Sequence, residues 1–517
     1  MVTHAGAVVG RGASDVRLIV PAPGHAEQEP SAWWRAVRRA VNEAITSVDV
    51  HRIGAAALSG QMHGLVLLDD RLRVLTRAIV WPDQRSGHEV AALTAEIGER
   101  RILNVCGGPL ATGFMAPSLR WVREQRRDLW SRVRHVASPK DYVRLRLTGH
   151  LASEPSDAAG TGLFDIRKRA WDTTMLTAAG LEHDHLPPVQ ASIAPAGTLL
   201  PRPATELGLP AGLPIVTGAA DTACGLLGAG ALEPDTVLVT LSSGGQIVLP
   251  SARPSVDPAG RSHTFCGALE PSAGASAWYR MGALLSAGLS LRWLRDSVFR
   301  LPRRDAFERM IAWAAETPPG ARGLLFLPYL LGERTPHMDP DARGVLFGLT
   351  VRHQRGEIVR AVLEGVSFAC LDAVRALEAG GGHPSRVVLA GGGAQSPLWR
   401  VIIADILGLP VHPLATREQA AVGAALLAGG GIGLLDSSEA ARRWARTETP
   451  VAPDPSRHAL YQDLGATYRD LYGRLRDEFR RLGEIEGAAD NLEPLNPRSP
   501  RRRPEPAGAT RSVGCPR

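Results

Sequence analysis

The spacing of apolar and polar positions divides the chain into short buried strands and amphipathic helices. Over 30–48, Trp33, Trp34, Val37, Ala40, Val41, Ala44 and Ile45 recur at helical intervals and predict a helix. The pattern predicts one or two strands over 6–23 and further strands over 53–59 and 64–68, around Gln61, Met62 and His63. Helices are predicted over 89–95, 118–125 and 142–147, and a polar loop over 156–161. An apolar run over 213–216 reads as a buried strand ended by Gly218. Asp221 stands just ahead of a small-residue segment, 222–231, that opens as a helix or tight turn. Strands over 236–241 and 246–249 then flank a tip of Ser242, Ser243, Gly244 and Gly245. Further on come a strand over 324–328, a long helix over 357–377 and a strand over 386–389 that runs into Gly391, Gly392 and Gly393. Ser396 caps a helix begun by Pro397. Thr416 and Gln419 make a capping-box pattern for a helix through 422–427 that glycines at 429–431 stop. A final amphipathic helix covers 457–481, with order lost after about 487. Strands alternating with helices define an α/β protein.

Composition narrows the class. The 517 residues suffice for two or more domains. A hydrophobic fraction of 44% and a charged fraction of 21% are those of an ordinary globular protein. No apolar run is long enough to span a bilayer, and 1–12 lacks the apolar core of a secretory signal. Cys106, Cys224, Cys266, Cys370 and Cys515 are scattered and form no CxxC pair, which argues against a disulfide framework or zinc site and for a reducing cytoplasm. Most of the +7 net charge lies beyond 496, where six arginines face one acid in a Pro/Arg-rich tail expected to be disordered. Such a tail supplies no base-reading element, so no specific nucleic-acid partner is expected. Of 59 basic residues only Lys140 and Lys168 are lysines, which reads as coding bias and not as chemistry.

Candidate chemistry gathers at three places. Asp221 sits at a strand end, and in α/β proteins such ends face the ligand crevice. On local sequence alone a helix cap is an equal reading. The Ser242–Gly245 tip exposes amides and hydroxyls suited to phosphate oxygens. The glycines at 391–393, after a buried strand and before a Pro-started helix, let backbone approach a ligand closely.

Separated motifs over about 6–481 carry a resemblance: AEQEPSAWW (26–34), SGQMHG (59–64), WPDQR (81–85), GFMAPSLRWV (113–122), SPKDYVRLRLTG (138–149), SDAAGT (156–161), GAADTACGLLGAG (218–230), FLPYLLGERTPHMDP (326–340), RGVLFGL (343–349) and AGGGAQSPLWRVIIADILGLPV (390–411). The chain resembles the FGGY group of sugar kinases and, through SGQMHG with GERTPH, its xylulose branch. That resemblance implies two actin-like (ribonuclease H-like) α/β domains around a cleft. The first, about 1–228, would bind sugar; the second, about 229–455, would bind ATP. A helix over 456–484 would return to the first domain, and a disordered tail would follow from 485. The implied activity is ATP-dependent phosphorylation of D-xylulose to D-xylulose 5-phosphate, with a homodimer as the one assembly considered.

Roles follow from the resemblance by position. Asp221 matches the base that takes the proton of the sugar's C5 hydroxyl; an exposed Asp, with a pKa near ~3.9, is ionised for that task. Met62 and His63, with Gln61 beside them, match the sugar pocket, His63 bonding a hydroxyl or the keto oxygen. A satisfied core histidine is the alternative. Trp81, Asp83 and Arg85 read as a pocket wall or equally as a structural ion pair. Ser242, Ser243 and Gly244 match the phosphate hairpin; Gly391, Gly392, Gly393, Gln395 and Ser396 match the adenosine turn. Mg²⁺ would bridge the phosphates, with no residue assigned to hold it.

Departures stand beside these matches. The family's opening Asp-x-Gly-Thr turn would fall before Met1. A start placed too late is expected, since a true loss would remove the first strand of the first sheet and expose a hydrophobic edge. The hairpin reads Ser-Ser-Gly-Gly in place of Gly-Thr-Ser-Gly, Thr222 replaces a usual Asn, and Ser118 a common Lys. A kinase for another ketopentose or polyol stays open, as does a sugar-binding pseudokinase.

Overall fold

The computed structural model describes residues 1–271 and 276–489. The strands predicted over 6–23 do not form. That stretch makes only isolated bridges, Val2 to Val8 and Ile19 to Glu27, and Val9, Leu18 and Val20 stay exposed. Without neighbouring strands to pair its amides, an alternating segment gains little from extending.

Helix α1 (Pro30–Ala44) starts on a proline, whose missing N–H costs nothing there, and buries Trp33 and Trp34. Then come β1 (Ala56–Gly60), α2 (Pro139–Thr148), α3 (Pro155–Ala159), β2 (Pro195–Thr198), β3 (Pro214–Ala220) and α4 (Asp221–Gly228). The polar loop predicted over 156–161 is thus largely helix α3; every one of its residues is buried, because Glu154 caps it from within the core. Nor does Gly218 end a strand. It lies inside β3 at φ 79°, packed on the Leu58 backbone where the β1–β3 ladder shifts register. The sheet runs β1-β3-β2, with β3 parallel to β1 and antiparallel to β2. The other edge of β1 has no strand partner among the described residues. It borders a cavity of about 400 Å³ lined by Trp33, Val37, Leu58, Leu147, Leu207 and Ile215.

The second half is built from β4 (Thr236–Leu241), β5 (Gly245–Ser251), β6 (His263–Cys266), β7 (Trp278–Leu284), α5 (Arg355–Glu378), β8 (Arg386–Gly391), α6 (Pro397–Leu407), β9 (Val411–Pro413), α7 (Gln419–Gly431) and α8 (Pro455–Ala489). Its six-stranded sheet has the order β6-β7-β5-β4-β8-β9. The β4, β8 and β9 strands are parallel; Val237, Val239, Val387 and Leu389 are fully buried, as expected of strands covered on both faces. Ser396 caps α6 as predicted, accepting from the Trp399 amide at 3.3 Å. The capping box predicted for α7 does not form. The helix starts at Gln419 itself, and the Thr416 hydroxyl accepts from the Glu418 amide instead. The implied return of the last helix to the first domain is also not what α8 does. Tyr461 bonds Arg360 and Glu364 on α5, Tyr468 bonds Tyr329, and His458 bonds the Asp405 carbonyl on α6. Buried tyrosine hydroxyls need partners, and these lie in the second half. The tail expected to be disordered falls outside the described residues from 490 onward.

The halves meet through α4 and α7. Any side chain at Gly228 would strike the Gln419 carbonyl, and one at Gly423 the Cys224 carbonyl, so these glycines set the approach of the two helices. One core cluster draws on both halves, from Met62, Ala219 and Leu227 to Leu238, Val388 and Leu426.

Candidate active site

Asp221 is the first residue of α4, where β3 gives way to the helix; Ala220 occupies the cap position. Its Oδ1 accepts from the Thr222 amide at 2.6 Å and from the Thr222 hydroxyl at 3.2 Å, and no basic side chain pairs with it among the described residues. The unusual Thr222 thus orients the carboxylate. Asp221 is half-buried, not the exposed carboxylate of the sequence reading. Burial pushes its pKa above the ordinary range, outweighing the two Thr222 bonds that pull it down.

Met62 and His63 lie in a buried aromatic nest. The His63 ring stacks on Phe114 at 4.1 Å between centroids and tilts against Phe265 at 5.9 Å; Tyr279 Oη donates to Met62 Sδ at 3.6 Å. His63 holds φ 73°, an uncommon conformation for a residue with a Cβ. Its Nδ1 lies 2.6 Å from the Gly160 carbonyl oxygen, which can only accept, so Nδ1 carries the proton. Burial lowers the His63 pKa to about 3, leaving a neutral ring with a bare Nε2. Such a nitrogen accepts from a hydroxyl and cannot donate to a keto oxygen.

Gln61 Nε2 donates to Gln28 Oε1 at 2.9 Å, and Gln28 also takes the Trp33 indole N–H. Asp83 accepts from the Ala26 amide at 2.6 Å and from Arg85 Nε at 2.9 Å; Arg85 reaches Glu27 at 2.8 Å and lies over the Trp121 ring at 4.9 Å. These contacts tie the 24–28 segment to the 81–85 turn, as a structural ion pair does. Trp81 is 46% exposed.

The hairpin and the glycine turn come together by register. Leu241 pairs with Gly391 across β4 and β8, so Ser242 and Gly392 follow at the same sheet edge. Ser242, Ser243, Gly392 and Gln395 are exposed there, with Gly244 and Ser396 partly so, while Gly393 is buried. Gly391 has φ 83° and lies so close to the Leu241 carbonyl that no side chain fits.

Behind Asp221 lies a buried charge cluster that the sequence reading missed. Lys140 Nζ is 2.7 Å from Asp141, 3.4 Å from Asp157 and 3.7 Å from Glu154, all with side chains essentially removed from solvent. Burial pulls the ammonium's pKa down, but these carboxylates outweigh it and the net shift is upward. Ser138 Oγ touches Asp157 at 2.7 Å and Asp141 at 2.8 Å. One hydroxyl has one proton, so the second contact needs a protonated carboxyl. Asp157 supplies it: burial, only partly offset by Lys140, pushes its pKa up to about 7. The clue in the sequence was Lys140 itself, one of two lysines in an arginine-rich chain.

Comparison with known proteins decides the family. The N-terminal domain of the FGGY family of carbohydrate kinases matches residues 1–228, and the C-terminal domain of that family matches 248–431. The chain belongs to the FGGY family of carbohydrate kinases. It is therefore a sugar kinase, and sugar kinases of this family use ATP. It is 36% identical to the xylulose kinase of Escherichia coli over 479 residues, covering 92% of this chain and 96% of that one. It is 34% identical to the xylulose kinase of Bacillus subtilis, over 92% and 94% of the two chains. Among solved structures, a xyloylose kinase from Brucella ovis superposes with a TM-score of 0.84 at 33% identity, covering 92% and 96%. Both actin-like halves of this two-domain kinase fold are accounted for by these matches. No helix among the described residues is long and apolar enough to cross a membrane.

Proposed function

We propose that this FGGY kinase transfers the γ-phosphoryl group of ATP to the C5 hydroxyl of D-xylulose, releasing ADP and D-xylulose 5-phosphate. The observation that carries the substrate is the identity with proteins named xylulose kinase over nine-tenths of the chain. The geometry supports the chemistry. The half-buried Asp221 carboxylate, oriented by Thr222, takes the hydroxyl proton as that oxygen attacks the γ-phosphorus and the bond to ADP breaks. His63 Nε2 accepts from a sugar hydroxyl, and Met62 gives the apolar wall. The tip of Ser242, Ser243 and Gly244 faces the phosphates, its turn closed by the Ser242 amide donating to the Gly244 carbonyl at 2.9 Å. The backbone of Gly391, Gly392 and Gly393 passes close to the adenosine, flanked by Gln395 and Ser396.

Around the hairpin the residues offer hydroxyls and amides but no set of carboxylates. The one group of three potential metal ligands among the described residues, His88, Glu89 and Glu124, lies on helices 87–97 and 115–125. No group of three such ligands among the described residues lies at the hairpin; Mg²⁺ held on the ATP phosphates would supply charge neutralisation there.

The test is ADP release with MgATP and D-xylulose, D-ribulose, glycerol or D-gluconate. The gluconate arm matters because a gluconate kinase from Lactobacillus acidophilus superposes with a TM-score of 0.85 at 26% identity. Highest kcat/KM for D-xylulose is expected. Preference for any other of these substrates contradicts the substrate assignment, and ADP release indifferent to all of them contradicts the transfer.

A further inference from the structure

The short helix α3 and the glycine that follows it bond the residue just before the proposed base and the proposed sugar ligand. At its start, Glu154 accepts from the Ser156 amide at 2.8 Å, the Asp157 amide at 2.9 Å, the Ser192 hydroxyl at 3.0 Å and the Ser156 hydroxyl at 2.8 Å. Ser156 has thus given its only proton to Glu154. Its oxygen faces the other way and accepts from the Ala220 amide at 2.9 Å. Ala220 is the last residue of β3, and Asp221 is next. Just past the other end of α3, the Gly160 carbonyl takes the His63 proton at 2.6 Å. Glu154 and Ser156 are fully buried.

We propose that Ser156, held by Glu154, is a positioning residue that fixes where the Asp221 carboxylate stands, and that the 154–160 segment is a strut setting the base against His63. This rests on the reading of Asp221 as the base. The physical basis is specific. The amide that ends β3 determines the direction in which the chain enters α4, and it is bonded to a side chain whose own rotamer is locked by a capped carboxylate. A base displaced by about an ångström costs on the order of 100-fold in rate while leaving substrate binding largely intact. A hydroxyl that merely filled space would not separate kcat from KM.

Three variants test it, with kcat, KM for D-xylulose and for ATP, and Tm measured on each. Ser156→Cys keeps the volume but offers only a weak acceptor; Ser156→Thr keeps the hydroxyl; Asp221→Asn removes the base. For Ser156→Cys we expect kcat to fall about 10- to 100-fold, both KM values to stay within about threefold, and Tm to change little. Ser156→Thr is expected to keep at least about a third of the wild-type kcat. A Ser156→Cys enzyme within about twofold of wild type, beside an inactive Asp221→Asn, overturns the positioning role alone. Equal kcat losses in the Cys and Thr variants also overturn it, because the hydroxyl would then not be what matters. An Asp221→Asn enzyme at the wild-type rate overturns the base assignment and the positioning role with it.

Discussion

The proton on His63 Nδ1 is committed to the Gly160 carbonyl oxygen, 2.6 Å away. That bond fixes the tautomer and leaves Nε2 as an acceptor throughout the working pH range, because burial holds the ring pKa near 3. His63→Phe, which keeps the stack on Phe114, is expected to raise KM for D-xylulose about 10- to 100-fold, the cost of one or two buried hydrogen bonds. In the wild type, the contribution of His63 to sugar affinity is expected to be flat from pH 5 to pH 8. A sugar affinity that follows a group titrating near 6.5, and loses that dependence in His63→Phe, would sink this assignment.

The only two lysines differ sharply. Lys140 lies within 3.7 Å of three buried carboxyl groups, whereas Lys168 is 76% exposed and 3.5 Å from Asp165. Removing one partner of a buried charge cluster strands the others, at a cost of about 3–5 kcal/mol. Lys140→Met is expected to lower stability by that order in urea titrations, and Lys168→Met by less than about 0.5 kcal/mol. Similar losses for the two would contradict the buried network.

Asp157 gives the chain a pH-dependent term of definite sign. Its folded pKa, about 7, is raised above the unfolded value, so the native state binds the extra proton. The stability this contributes is complete below about pH 4, the unfolded Asp range, and is lost as pH rises through 7. Asp157→Asn mimics the protonated side chain and removes the titration. The wild-type advantage in Tm over Asp157→Asn should therefore shrink steadily from pH 4 to pH 8. An advantage that grows over this range requires an ionised Asp157 at neutral pH.

In the proposed nucleotide site, Gly391 leaves no room for a side chain. Its φ of 83° and its contact with the Leu241 carbonyl leave a methyl group nowhere to go without moving β4 or the glycine turn. Gly391→Ala is expected to raise KM for ATP about tenfold while leaving the Kd for D-xylulose, measured calorimetrically without nucleotide, within about twofold. An unchanged KM for ATP would remove the turn from the nucleotide site.

Much of this was legible in the sequence because local pattern and tertiary environment agree. Apolar runs marked β4 and β8, and their parallel register explains why the Ser/Gly tip and the glycine turn, 150 positions apart by the Thr236–Arg386 pairing, share one sheet edge. Asp221 was visible as a carboxylate at a strand end. What failed to show depends on contacts remote in sequence. The 156–161 segment looks like a polar loop, and its partners Ser138, Lys140, Glu154 and Ala220 make its polar groups suitable for burial as α3. Phe114, the β6 pair His263 and Phe265, and Tyr279 come from three separate stretches, and no single window contains the nest they build around His63. The strands predicted over 6–23 had apolar runs but, among the described residues, no sheet to join. Lys140 was read as composition because only Asp141 stands beside it in the sequence, and Glu154 and Asp157 reach it through the fold.

Asp221 as the proton acceptor is the central claim, and the pre-steady-state rate of D-xylulose phosphorylation by Asp221→Asn tests it most directly, since asparagine keeps the shape and the Thr222 bond while removing the basicity. We expect a loss of at least about 100-fold in the transfer step, with MgATP and D-xylulose still binding. In the wild type, we expect the rate to fall on the acid side at a midpoint above the ordinary Asp value, because burial raises the pKa of this carboxyl. Transfer by Asp221→Asn within about tenfold of the wild-type rate would show that another group takes the proton.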